Sequence, residues 1–193
     1  MRKIAAIILS LFALDAIAIE RVARWASDVK REAQAVQGIY APVPMYLAQI
    51  HQESGGRENI TASDLGRGLA QFMDATASWV SEAYPELGAP DPYNPKWAIR
   101  ALIRLDMHNH KRVRGVDSCQ KWGAALKAYN AGLGYVQKAQ AASNNPEQWF
   151  GFTEYVKTRQ SAKNMEYSRL YPRWILYKHQ PQYSIYGSTV CIN

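Results

Sequence analysis

Apolar residues recur at three- and four-residue intervals through most of the 193-residue chain. This spacing places them on one face of an α-helix, and segments rich in Pro and Gly separate the periodic stretches. The pattern therefore predicts a mainly α protein. The predicted helices cover residues 19–40, 44–53, 74–83, 95–113, 118–130, 134–142 and 161–178.

The connections between these helices carry turn-forming residues. Residues 57–71 are rich in Gly, Ser, Asp and Thr, and residues 84–95 contain four prolines. We expect both segments to be loops, with a small β ribbon near residues 60–70, and we expect Asp74 to cap the helix that follows the first loop. The length suits one domain, and the sequence shows no internal repeat.

The first twenty residues, MRKIAAIILSLFALDAIAIE, have the order of a secretory signal. Two basic residues come first, an apolar run follows, and Ala16-Ile17-Ala18 offers a small-x-small cleavage site. We expect export to the periplasm or cell envelope, with residues 1–18 as the signal peptide. An uncleaved membrane anchor over residues 4–19 is the alternative, although this stretch is short for a span and is interrupted by Asp15.

Cysteine and histidine usage gives further expectations. Cys119 and Cys191 suit an oxidising compartment, where a disulfide could tie down the C-terminal tail, residues 179–193; free buried thiols are the alternative. The chain has no CxxC, and its histidines do not form an HExxH pattern. We therefore predict no metal site and no cofactor, and we expect surface or packing roles for His51, His108, His110 and His179.

The charge balance is basic. The net charge is +7 and the sequence pI is about 9.4, which suggests an anionic partner. Removal of residues 1–18 leaves +6, so the basic character belongs to the exported domain. The chain has no recognisable nucleic-acid-binding motif. We expect attraction to the anionic cell envelope and no nucleic-acid partner, with the protein acting as a monomer.

Three short segments are polar or Gly-rich where helices end or pack: QESGG at 52–56, GRGLAQFM at 66–73 and KAYNAGLG at 127–134. Glycines allow a backbone to approach a ligand closely, and Gln, Asn and Tyr side chains offer directional hydrogen bonds. Glu53 is unusual because the negative end of a helix dipole disfavours a carboxylate. One carboxylate facing amides, a phenol and glycines is typical of a carbohydrate cleft.

The order and separation of these segments resemble the signature motifs of the soluble lytic transglycosylase domain, which has a lysozyme-like fold. Glu53-Ser54, the segment 68–71 (GLAQ) and the segment 128–130 (AYN) carry the resemblance, and DPYNPKWAI at 91–99 is similar to a further family segment. It covers residues 41–178, the expected catalytic domain. The later segments 122–140, 161–176 and 183–191 resemble the cell-wall-degrading endolysins of bacteriophages.

The resemblance implies cleavage of the β-1,4 bond between N-acetylmuramic acid and N-acetylglucosamine in peptidoglycan, with 1,6-anhydro ends and, for the phage branch, host lysis. Glu53 matches the single catalytic acid. Ser54 would orient Glu53 or hold a sugar substituent. The remaining matched positions, which would contact the substrate, are Gln71, Tyr129, Asn130 and, in preference to Tyr155, Tyr171.

Three alternatives stay open from the sequence. A goose-type lysozyme on a related fold would hydrolyse the same bond with a second carboxylate, and Asp64 and Asp74 lie in segments that could face Glu53. A transglycosylase of a secretion or conjugation apparatus would remodel the wall rather than lyse the cell. A wall-binding module without chemistry would keep the cleft but would not need its acid.

Overall fold

The computed structural model describes residues 15–191, so most of the predicted signal or anchor lies outside the described residues. Within this range the protein is mainly helical, which confirms the predicted fold class. The first helical segment, α1, covers residues 15–23. The helices that follow are α2 (Ala26–Gln37), α3 (Val43–Ser54), α4 (Asp74–Ala83), α5 (Pro95–His110), α6 (Ser118–Ala131), α7 (Leu133–Ala142) and α8 (Ala162–Arg173).

The N-terminal amphipathic helix is divided in two. A turn at residues 24–25 separates α1 from α2, so the single helix predicted over residues 19–40 is wrong. The apolar positions nevertheless face the core as the spacing predicted. Val22, Val29 and Ala33 are fully buried, because the turn preserves the side on which the two segments pack.

Helix α3 forms the centre of the molecule. Every residue from Val43 to His51 is buried, which explains the weak amphipathic pattern of this segment. Pro44 occupies the first turn, where its missing N–H costs nothing. The helix ends at Gly55, which adopts the left-handed conformation with φ of 60° and donates its N–H to the His51 carbonyl.

Side-chain caps fix where two of the other core helices begin. The Asn94 carboxamide oxygen accepts hydrogen bonds from the first turn of α5, and the Asp117 carboxylate accepts one from the Gln120 N–H of α6 at 2.8 Å. Helix α6 packs between α5 and α8. Asp74 is not a cap: it is the first residue of α4, Met73 precedes it in the cap position, and its carboxylate pairs with Arg67 at 2.7 Å.

The C-terminal segment belongs to the core rather than to a tail. Pro172 cannot donate a backbone hydrogen bond, and α8 gives way directly afterwards to a π-helical turn, Trp174–His179, and then to a 3₁₀ segment, Gln180–Tyr186. Both segments pack against α3, and Tyr183 is fully buried. A disulfide joins Cys119 to Cys191, with Cα atoms 4.7 Å apart.

The expected ribbon near residues 60–70 is reduced to isolated antiparallel bridges, in which Arg67 pairs with Thr61 and with Phe72. The 84–95 connection contains one 3₁₀ turn, Pro85–Leu87. None of the helices in the described part of the chain has both the length and the apolarity to cross a bilayer.

Candidate active site

A cleft of about 300 Å³ lies where α3, α5, α6 and α8 meet the loop between α3 and α4. Both polar and apolar side chains line it. Its walls are formed by Gln52, Glu53, Ala62, Asp64, Gln71, Phe72, Met73, Thr76, Leu105, Tyr129, Asn130, Tyr167 and Tyr171.

Glu53 reaches the cleft because α3 stops directly behind it. Glu53 lies in the last turn of α3, and Gly55 and Gly56 then turn the chain away with positive φ values. Gly56 also packs on α1, where an added Cβ would stand 2.8 Å from the backbone of Arg21 and Val22. A glycine is therefore required at this position, and the turn leaves the Glu53 side chain at the cleft wall.

The Glu53 carboxyl group is held in an environment that favours its protonated form. Burial of this carboxyl raises its pKa from 4.5 to about 8. The Tyr171 hydroxyl donates a hydrogen bond to Oε1 of Glu53, and this bond lowers the pKa of the carboxyl group. The negative charge of Asp64 raises the same pKa further. At neutral pH the group can therefore donate a proton, and its ionised form would be stabilised by Tyr171.

Two stacked tyrosines form one wall. The rings of Tyr129 and Tyr171 are parallel, with centroids 6.5 Å apart. The Tyr129 hydroxyl donates to the Ala70 carbonyl at 2.6 Å and so ties α6 to the loop between α3 and α4. Burial raises the pKa of both phenols well above 10, which keeps them neutral hydrogen-bond donors.

Gln71 is held by an unusual backbone. Its φ is +51°, in the left-handed region that side-chain-bearing residues seldom adopt. Its Nε2 donates to the Gly68 carbonyl at 2.7 Å, which leaves the carboxamide at the cleft wall. Gly68 itself has φ of +68°, and a Cβ there would lie 1.8 Å from the Pro92 carbonyl oxygen. Only glycine fits at position 68 of this loop.

The predicted site residues are not all in the same place. Glu53, Gln71, Tyr129, Asn130 and Tyr171 line the cleft. Ser54 is 1% exposed, and its hydroxyl donates to the Ile50 carbonyl at 3.4 Å. The expectation that Ser54 holds a sugar substituent is therefore wrong, because its hydroxyl is turned into the helix. Tyr155, the competing choice for the late tyrosine, is 55% exposed and lies away from the cleft.

Sequence reasoning missed three polar residues of the cleft wall, Gln52, Thr76 and Tyr167. Gln52 precedes Glu53, and Tyr167 lies one helical turn before Tyr171 on α8, where the i, i+4 relation places both tyrosines on one face. That relation was the available signal for Tyr167. Of the two further carboxylates considered, Asp64 lines the cleft, whereas Asp74 is exposed and paired with Arg67.

Comparison with known protein families gives one match. The family model of the transglycosylase SLT domain matches residues 30–150, more than half of the chain. The matched range contains Glu53, Gln71, Tyr129 and Asn130 and ends before Tyr171. A search of curated proteins finds no match.

Proposed function

Because this chain belongs to the transglycosylase SLT domain family, we propose that it is a peptidoglycan lytic transglycosylase that leaves 1,6-anhydro-N-acetylmuramic acid ends. Family membership supports action on peptidoglycan by a transglycosylase-type enzyme. The nature of the product and the role of each residue are our proposal.

In the proposed reaction Glu53 acts twice. Its carboxylic acid protonates the glycosidic oxygen between N-acetylmuramic acid and N-acetylglucosamine as the anomeric C–O bond breaks. The carboxylate then accepts the proton of the muramic acid 6-hydroxyl, whose oxygen bonds to the anomeric carbon and closes the anhydro ring. Glu53 finishes protonated, so the cycle consumes no water. A group that must be acid and then base works best with a pKa near the working pH.

The observation that carries the proposal is the position of Glu53 in the cleft with a pKa raised to about 8 by burial. Most Glu53 side chains are therefore protonated at pH 7 before substrate binds. The Tyr171 hydroxyl already contacts Oε1 and would stabilise the carboxylate that forms in the first step. Gln71 and Asn130, which both line the cleft, would offer amide groups to the sugar substituents.

The test is digestion of purified sacculi followed by mass spectrometry of the released muropeptides. We expect anhydro-muropeptides from the wild type and none from Glu53→Gln. Glu166→Gln is the matched control, because Glu166 is an exposed residue of α8, and it should cleave as the wild type does. Cleavage by Glu53→Gln at a rate near that of the wild type would refute the assignment of this residue.

Hydrolysis of the same bond is the second candidate, and one observation favours it. Asp64 lies in the same cleft as Glu53, and a second carboxylate about 6.5–9.5 Å from the acid can activate a water molecule in inverting glycosidases. Products with reducing ends, lost in an Asp64→Asn variant, would establish hydrolysis in place of the anhydro reaction.

We further propose that the enzyme acts after export, in the cell envelope. The basic segment and apolar run at residues 2–14 support a signal or an anchor. Packing of Ala18 near Gly55 and pairing of Asp15 with His51 favour an N-terminal segment that is kept rather than cleaved after Ala18. N-terminal sequencing of the exported protein tests this, and a mature chain that begins at Ile19 would contradict retention.

Host lysis for a phage is the proposed setting, because the later segments resemble phage endolysins. Controlled expression with the N-terminal segment intact should lyse an indicator culture, and the Glu53→Gln protein at equal level should not. Wall cleavage by the purified protein without lysis from the expressed protein would instead favour local wall remodelling.

A further inference from the structure

Three potential metal ligands from distant parts of the chain meet beside α3. Asp15 comes from α1, His51 from α3, and His179 from the end of the π-helical turn. Residues two apart on a helix point about 200° apart, so His51 faces away from the cleft that Glu53 lines. The cluster is therefore separate from the candidate active site.

The three side chains are close enough to share one ion. Nε2 of His51 lies 3.3 Å from Oδ1 of Asp15, and the rings of His51 and His179 have centroids 4.1 Å apart. One ligand atom from each residue lies within 4.8 Å of the others. Zinc bonds of about 2.0–2.1 Å in a tetrahedron separate ligand atoms by roughly 3.3 Å, so modest side-chain rotations complete the geometry.

His179 carries the clearest sign of a missing partner. Its side chain is 4% exposed, and its Nδ1 has no hydrogen-bond partner within residues 15–191. A buried polar atom without a hydrogen-bond partner destabilises the folded protein. An ion bound through Nδ1 would supply the partner.

Hydrogen bonds from outside the cluster orient two of the ligands. The Tyr183 hydroxyl lies 2.8 Å from Nδ1 of His51, which leaves Nε2 of the same ring facing Asp15. Nε2 of Gln182 donates to Oδ2 of Asp15 at 3.1 Å, which leaves Oδ1 facing His51. Such outer contacts are typical of ligands at metal sites.

We propose that Asp15, His51 and His179 bind a divalent transition-metal ion, with Zn²⁺ as the best match. Two imidazoles and one carboxylate suit zinc, whereas Ca²⁺ and Mg²⁺ require oxygen ligands. The Asp15 side chain is 38% exposed, so water can reach the fourth position.

The bound ion would fasten the two ends of the described chain to its central helix. Asp15 precedes the family match and His179 follows it, and only the fold brings them to His51. Sequence spacing gave no signal for this site because its ligands are separated by 36 and 128 residues.

The test uses the full chain, with retention of Asp15 verified by mass, after treatment with a chelator. Calorimetric titration with ZnCl₂ should give one site per chain. His179→Gln and Asp15→Asn should each weaken that binding at least tenfold, and Tyr183→Phe should weaken it by about 10–100-fold as the loss of an outer contact. His108→Gln is the matched control, because His108 lies on α5 against Trp79, and it should bind as the wild type does.

Circular dichroism of each variant without metal separates loss of a ligand from loss of the fold. If His179→Gln does not fold, the decision rests on Asp15→Asn, whose residue is half-exposed. Absence of one-to-one zinc binding by the wild type would overturn the proposal, as would binding that folded ligand variants leave unchanged. Wall cleavage is not measured, so this result is independent of the proposed catalytic function.

Discussion

Replacement of Glu53 by Gln should abolish catalysis and, at neutral pH, make the protein more stable. In the unfolded chain Glu53 has a pKa near 4.5 and has lost its proton at pH 7. In the folded protein the pKa of Glu53 is about 8, so the side chain keeps its proton at pH 7. Folding therefore takes up a proton at this site, and that uptake costs free energy. Gln is neutral in both states and avoids the cost.

The size of the effect follows from the pKa change. A rise from 4.5 to about 8, at about 1.4 kcal/mol for each pH unit, gives an upper bound of about 5 kcal/mol above pH 8. Glu53 is only partly buried and the cleft is open to solvent, which reduces this to about 1–3 kcal/mol. The Gln carboxamide oxygen can still accept the hydrogen bond from Tyr171.

The sign of the pH dependence is also fixed. A carboxyl group whose pKa is raised on folding contributes most stability below its unfolded pKa, and that contribution is lost as pH rises through about 8. The gain from Glu53→Gln should therefore be near zero at pH 4.5 and reach its full value near pH 8. Urea unfolding of both proteins across this range measures it, with Glu166→Gln as the control.

Two results would refute this reasoning. A stability gain that is independent of pH would show that the benefit comes from packing rather than from the proton. A wild type that is more stable than Glu53→Gln between pH 7 and 8 would mean that the folded protein favours the carboxylate at this site, which is the reverse of the direction in which burial moves its pKa.

Three further changes test other parts of the account. Tyr171→Phe removes the hydrogen bond that favours the Glu53 carboxylate. Wall cleavage should therefore fall about tenfold, and the pH at which activity declines on the alkaline side should rise. An unchanged pH profile would show that the Tyr171 hydroxyl does not act on Glu53. Replacing Cys119 and Cys191 together by Ser should cost about 2–4 kcal/mol of unfolding free energy in urea, because the disulfide closes a chain segment of 72 residues, and a reducing agent should remove the difference from the wild type. Gly68→Ala should lower the unfolding free energy by more than about 2 kcal/mol in thermal unfolding and should lower wall cleavage. Gly88→Ala is the control, because Gly88 also has a positive φ but a Cβ there would meet no other atom, and it should cost less. Equal losses of stability would mean that backbone strain alone is responsible.

Much of the helical framework could be predicted because its signals are local. Asn94 and Pro95 mark the start of α5, and the helical spacing of apolar residues predicts α6, although residues 122–128 are buried on every side of that helix. The end of α3 could be read from Gly55, because only a glycine takes its left-handed conformation without strain.

The errors arise where tertiary packing decides. Residues 179–191 have few regular periodic signals, yet Tyr183 packs against α3 because the π-helical turn redirects the chain. Asp74 is a good cap residue by type, but its partner is Arg67 across the loop. Ser54 neighbours Glu53 in sequence, and the helix rotates the Ser54 hydroxyl toward Ile50 instead of the cleft.

The site was predictable to the extent that its residues lie in short ordered motifs. Glu53, Gln71 and Tyr129 each come from such a motif, whereas Tyr171 had only its position in favour and Tyr167 only its i, i+4 spacing from Tyr171. Long-range juxtapositions such as that of Asp15 with His179 leave no spacing pattern, because the intervening chain can have almost any length.

The chemistry of the cleaved bond tests the central claim most directly. Purified sacculi digested by the wild-type protein in H₂¹⁸O should release muropeptides with 1,6-anhydro ends and no ¹⁸O at the cleaved anomeric carbon, since the muramic acid 6-hydroxyl replaces water as the nucleophile. Reducing ends that carry one ¹⁸O atom would contradict the account and would assign the activity to hydrolysis.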